Sequence, residues 1–135
     1  MEKYTTLNHG KYWLRYHIIF STKYRKSILN IFKKEIYYSI DKAEQKSNFK
    51  ILFKKVDNDH IHFCIEIPPN LTVVSVVRRL KQLSTIYFYE NNNLDNLFWK
   101  EKTLWADGYF VSTIGEVSIS NLEQYIENQG IHPRN

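Results

Sequence analysis

The chain has one cysteine, Cys64, in 135 residues. A single thiol excludes an internal disulfide and any cysteine-cluster zinc site, and it fits a reducing, intracellular compartment. No apolar run approaches the roughly 20 residues that span a bilayer, and the N-terminus lacks the apolar stretch of a secretion signal. The expectation is a soluble, cytoplasmic protein with no membrane partner. There is no internal repeat, linker or composition break, so residues 1–135 read as one domain. Nor does one sign of charge dominate: 14 acidic residues face 19 basic ones, a net +5. That balance favours a polyanionic partner, but only weakly.

Hydrophobic residues reach 43%, enough for a real core, and aromatics 16%. Residues 1–11 are polar and read as a loose lead-in. From 13 to 21 the chain alternates, with Leu14, Tyr16, Ile18 and Phe20 on one face and Arg15, His17 and Ile19 on the other, the pattern of a strand. A basic loop follows at 22–26. Phe32, Ile36, Ile40 and Ala43 predict a helix over 30–47. A second strand spans 49–56, with Ile51 and Phe53 set against Lys50 and Lys54, and Asp57-Asn58-Asp59 reads as a hairpin-like turn.

The third strand, 60–67, puts Ile61, Phe63, Ile65 and Ile67 on one face and His60, His62, Cys64 and Glu66 on the other; Pro68-Pro69 ends it. A second helix begins near Thr72, with an apolar stripe of Val73, Val76, Val77, Leu80, Leu83 and Tyr87. A fourth strand covers 108–113, and Gly115 is a flexible joint. Ser120 with Glu123 forms a capping box that opens a helix over about 118–130, closed by Gly130. The order β-α-β-β-α-β followed by a terminal helix indicates an α+β, ferredoxin-like antiparallel sheet with its helices on one face.

His60-Ile61-His62 carries the strongest chemical signal. Residues two apart on a strand share a face, with Cα atoms about 7 Å apart, so two imidazoles can hold one divalent metal ion. The plain alternative is two ordinary, partly buried strand histidines. Asp59 is either a turn residue or an orienting group for the pair. On the terminal helix Tyr125 and Gln129 are four apart and share a face. They read as a core-edge tyrosine and a solvated glutamine, or as a phenol nucleophile and a third metal ligand. The second pairing suggests metal-assisted phosphodiester chemistry through a covalent phosphotyrosine. Lys23, Arg25, Arg78, Arg79 and Lys81 are solvated surface or phosphate contacts, and aromatics such as Tyr24 and Tyr87 could stack on unpaired bases. Ser84, Thr85, Cys64 and His17 show no arrangement of base, nucleophile and orienting group and are set aside.

Several stretches together resemble the small single-tyrosine HUH transposases of prokaryotic insertion sequences, the TnpA type. They are Tyr16-His17-Ile18-Ile19-Phe20-Ser21-Thr22-Lys23-Tyr24-Arg25, Asp59-His60-Ile61-His62, Arg78-Arg79-Leu80-Lys81, Leu104-Trp105, Tyr109-Phe110-Val111, Thr113-Ile114-Gly115 and Tyr125-Ile126-Glu127-Asn128-Gln129. The resemblance runs in order over about residues 12–130. It implies an enzyme that cuts and rejoins single-stranded DNA at insertion-sequence ends, next to hairpins. Tyr125 would attack the scissile phosphate to leave a 5′-phosphotyrosine and a free 3′-OH. His60, His62 and Gln129 would hold Mg²⁺ or Mn²⁺, Gly115 would be a hinge, and the protein would be a homodimer.

Two other readings stay open. A non-catalytic single-stranded nucleic-acid-binding module would suit the sheet and the aromatics. The chain, however, has no good Lys/Arg-Gly-Phe/Tyr run on a central strand, and this reading gives the histidines no joint role with Gln129. A domesticated HUH endonuclease acting on chromosomal repeats would share every motif. HUH enzymes of replication and conjugation often carry paired tyrosines, whereas Tyr125 stands alone on its helix.

Overall fold

The computed structural model describes residues 4–7, 10–90 and 103–115. Two short strands, β1 (Thr5–Leu7) and β2 (Gly10–Tyr12), pair antiparallel where a loose lead-in was expected. Side chains explain the order. Tyr4 packs edge-on against Trp13 at 5.6 Å, and the Thr5 hydroxyl donates to the buried Glu66 carboxylate.

The main body follows as β3 (Arg15–Ser21), α1 (Lys33–Gln45), β4 (Lys50–Val56), β5 (His60–Glu66), α2 (Val73–Glu90) and β6 (Phe110–Ile114). The four strands lie in the order β4-β5-β3-β6, every neighbour antiparallel. Thr72 caps α2: its hydroxyl accepts from the Ser75 N–H, and the Ser75 hydroxyl accepts from the Thr72 N–H. Helix α1 has no such side-chain cap at Phe32. Its stability comes from burying Ile36, Ile40 and Ala43.

Both helices cover one face of the sheet. Ile18 and Phe20 of β3 and Ile61, Phe63 and Ile65 of β5 share one core with these α1 residues and with Val76, Val77, Leu80 and Phe88 of α2. Phe20 and Phe63 meet edge-on at 5.1 Å. Burying each ring contributes about 1.5–3 kcal/mol.

Two local readings of the sequence change. Ile51 pairs with Ile65 but Phe53 with Cys64, because a β-bulge makes Leu52 an extra residue. The bulge reverses the alternation, so Ile51 packs into the helix-side core while Phe53 packs with Cys64 and Ile114 on the opposite face. On α2, Phe88 rather than Tyr87 is buried, completing a line Val76, Leu80, Ser84, Phe88. Residues four apart stay on one face, and Tyr87 sits about 100° off it.

The face away from the helices carries the histidines. Register sets Ser21 opposite His60, Ile19 opposite His62 and His17 opposite Cys64. It too is a buried face: His17, Ile19 and Cys64 are fully covered. Burial pushes the Cys64 thiol up to about 11, so it is no reactive thiolate.

Candidate metal centre and nucleic-acid residues

The β4–β5 hairpin builds the site. The Asp57 N–H donates to the His60 carbonyl at 2.8 Å, closing a loop of just Asn58 and Asp59. Asp57 and His60 are thereby neighbours across the hairpin, and His62 follows on the same face. One Asp57 carboxylate oxygen lies 3.1 Å from His60 Nε2 and 3.7 Å from His62 Nε2. These three residues offer ligand atoms all within 4.8 Å of one another, a group that could hold a metal ion. Ligands bound at about 2.0–2.2 Å in tetrahedral or octahedral geometry stand about 3–4 Å apart, and the two carboxylate–imidazole distances, 3.1 and 3.7 Å, fall in that range. The histidines are 8% and 5% exposed, whereas the Asp57 side chain is 48% exposed, so the group opens to solvent on the carboxylate side.

The far side of each imidazole is also occupied. His60 Nδ1 donates to Asp59 at 2.9 Å, and Asp59 accepts from Arg25 Nε at 3.0 Å. Burial alone would raise the Asp59 carboxyl; hydrogen bonds from His60 and Arg25, with the Arg25 charge, outweigh it and hold it below the usual carboxylate range. His62 Nδ1 lies 3.1 Å from His17 Nε2 on β3. Burial lowers the His17 pKa to about 4, so this ring is neutral at pH 7. With Nδ1 engaged on both rings, each presents Nε2 toward Asp57.

Sequence reasoning missed two of these residues. Asp57 read only as part of a turn, although a two-residue hairpin loop puts the residue three before His60 directly across from it. His17 was set aside. Its face was legible, but its nearness to His62 depends on strand register, which has no local signal.

Residues 11–129 match the model of the family described as "Transposase IS200 like". The chain belongs to this family. It is 32% identical to the transposase for insertion sequence element IS200 of Salmonella typhimurium over 125 residues, 92% of this chain and 82% of the relative. It is 28% identical to the ISDra2 transposase TnpA of Deinococcus radiodurans over 121 residues, 87% and 85% of the two chains. A crystal structure of a candidate transposase from Deinococcus radiodurans R1 superposes with a TM-score of 0.69 at 25% identity, over 93% of this chain and 98% of that one. A REP-associated tyrosine transposase bound to a REP hairpin gives 0.56 at 14% identity, over 91% and 68%, a likeness of fold.

In this IS200-like transposase the basic residues divide. The segment Lys23–Arg25 after β3 is a tight turn with Tyr24 and Arg25 at φ 59° and 54°. Left-handed backbone is strained for such residues. It is held by Thr22 N–H to the Asp59 carbonyl, Lys23 N–H to the Leu104 carbonyl and the Thr22 hydroxyl to the Lys26 carbonyl. The turn aims Arg25 at Asp59 and leaves Tyr24 74% exposed, with Lys23 beside its ring.

Lys81 donates to the carbonyls of Ala106, Asp107 and Gly108, which ties α2 to the segment before β6. Arg78 and Lys81 line a cavity of about 590 Å³ between α2 and that segment. Arg79 instead faces the end of α1, bonded to Ser47 Oγ and the Lys46 carbonyl. At Gly115 a Cβ would meet open space, and its carbonyl accepts from the Trp13 indole. Tyr125 and Gln129 lie outside the described residues. No described helix is long and apolar enough to cross a membrane.

Proposed function

We propose that this IS200-like transposase cleaves and rejoins single-stranded DNA at hairpin-bearing insertion-sequence ends, using Tyr125 as nucleophile beside a divalent cation held by Asp57, His60 and His62. The observation that carries the reading is the meeting of one carboxylate and two imidazole Nε2 atoms on a transposase-family sheet. Mg²⁺ prefers oxygen ligands, and Asp57 adds one to a pair of nitrogens. Gln129 is proposed as a further ligand, with water and phosphate oxygens completing the shell. When bound, the cation would neutralise charge on the attacked phosphate and help orient it.

The phenol oxygen of Tyr125 gives up its proton to solvent and forms the bond to phosphorus as the bond to the 3′ oxygen breaks. That oxygen leaves with the electron pair, takes up a proton and becomes the free 3′-OH, while the 5′ phosphate stays on the tyrosine. Holding the phosphoester on the protein keeps it available for rejoining. We read the strand order as the ferredoxin-like arrangement, with the tyrosine helix, about residues 118–130, joined to β6 through Gly115 as hinge. Lys23, Arg25, Arg78, Arg79 and Lys81 are proposed to lie along the DNA path, and two copies of the chain to form the working dimer.

The test is Tyr125→Phe, incubated with a single-stranded hairpin substrate and Mn²⁺. The covalent protein–DNA product should vanish on denaturing gels while hairpin binding stays within about twofold of wild type, because only the attacking oxygen is lost. An adduct formed by Tyr125→Phe would remove Tyr125 as nucleophile.

A further inference from the structure

We propose that His17 is a positioning residue for the metal centre: it accepts a hydrogen bond from His62 Nδ1 and so fixes His62 as the ring form that offers Nε2 to the cation. The inference rests on the proposed metal centre and adds a residue to it. The geometry is specific. His17 Nε2 and His62 Nδ1 are 3.1 Å apart, and the two rings stack at 5.4 Å with 25° between their planes. A neutral imidazole carries one proton. If His62 Nε2 is to bind a metal, that proton sits on Nδ1, and the atom facing it must accept.

His17 is otherwise a poor choice for its position. It is fully buried, with the edge of Phe110 against it at 6.1 Å, and its Nδ1 has no hydrogen-bond partner among the described residues. A buried polar atom left without a partner destabilises a fold, and an apolar side chain of similar shape would avoid the cost. Phenylalanine would fill the same space without that orphaned nitrogen. What phenylalanine cannot supply is an acceptor for His62. Asp59 plays the matching part behind His60, so each ligand ring has its own outer partner from a different element.

The experiment titrates the DNA-free protein with Mn²⁺ and follows free Mn²⁺ by EPR, for wild type, His17→Phe, His17→Gln and His62→Ala. Loss of an outer partner costs about 10–100-fold in metal affinity. His17→Phe should show that loss while remaining folded, with a cooperative metal-free melt. The amide of His17→Gln can place an acceptor where Nε2 was, and should recover most of the affinity. Long-range ¹H–¹⁵N spectra of metal-free wild type should show the His62 proton on Nδ1.

Wild-type affinity in a folded His17→Phe, or a His62 proton on Nε2 in the metal-free protein, overturns the proposal and leaves the metal centre standing. Wild type that binds no Mn²⁺, or His62→Ala that binds as well as wild type, overturns the metal centre and this proposal with it. Should His17→Phe fail to fold, the spectrum and His17→Gln decide: a misplaced proton, or a Gln variant as weak as His62→Ala, sinks it.

Discussion

At the residue scale, His17 couples stability to pH. Its pKa is pushed down from the ordinary 6.5 to about 4 by burial. Unfolding restores the ordinary value, so between these limits the unfolded chain binds a proton that the folded one refuses. Stability from this group is complete above about pH 6.5 and is lost as pH falls toward 4, about 2 kcal/mol of it between pH 7 and pH 5. Urea unfolding of metal-free wild type and His17→Phe at both pH values checks this. Wild type should lose about 2 kcal/mol more than the variant, and parallel pH dependences would refute it.

Single residues were also where sequence patterning reached furthest and stopped. Alternation placed His60 and His62 on one face of their strand, and His17 opposite the apolar side of its own, as observed. It could not say that His62 lies opposite Ile19 and so within a hydrogen bond of His17, because register follows from tertiary pairing. Asp57 was hidden differently: aspartate is so common in turns that a second role leaves no mark in composition.

At the scale of elements, the contact between α2 and the segment before β6 includes one polar bond buried inside an apolar surround. The Trp105 indole N–H donates to Ser84 Oγ at 2.9 Å, both residues buried. Ser84 had invited a nucleophile reading; its hydroxyl is the indole's acceptor. Ser84→Ala leaves the indole unpaired and should cost about 1–3 kcal/mol in urea unfolding. In a Trp105→Phe background the same change should cost well under half as much; an equal cost would show that the hydrogen bond is not the cause.

The strands and helices themselves were legible because apolar periodicity was strong in 15–21, 33–45, 60–66 and 73–90. The bulge at Leu52 was not, since Lys-Ile-Leu-Phe-Lys fits a regular strand equally well. The β1–β2 ribbon was missed because its order comes from Trp13 and Glu66, outside its own sequence.

At the scale of the whole molecule, binding and cutting should separate. The net charge of +5 and the basic side chains act on DNA without a metal, and that attraction weakens as salt rises. On the proposed mechanism, cutting requires a cation at Asp57, His60 and His62. EDTA should therefore abolish strand cleavage of a hairpin substrate and leave its gel-shift affinity within about threefold, while raising NaCl from 50 to 200 mM should weaken the shift by tenfold or more. Cleavage that survives EDTA would separate the histidines from the chemistry. Loss of binding in EDTA would instead make the metal part of DNA recognition.

The hairpin from Asp57 to His62 has a further consequence for assembly. Its candidate donors fall within six consecutive positions, and a loop of two residues brings them together. Closing so short a stretch costs little chain entropy, so the cation pocket can form as soon as β4 and β5 meet, before distant parts of the chain arrive. The same economy ties the carboxylate to the turn: one residue inserted at Asn58 changes the loop type, and with it where Asp57 sits relative to the two imidazoles.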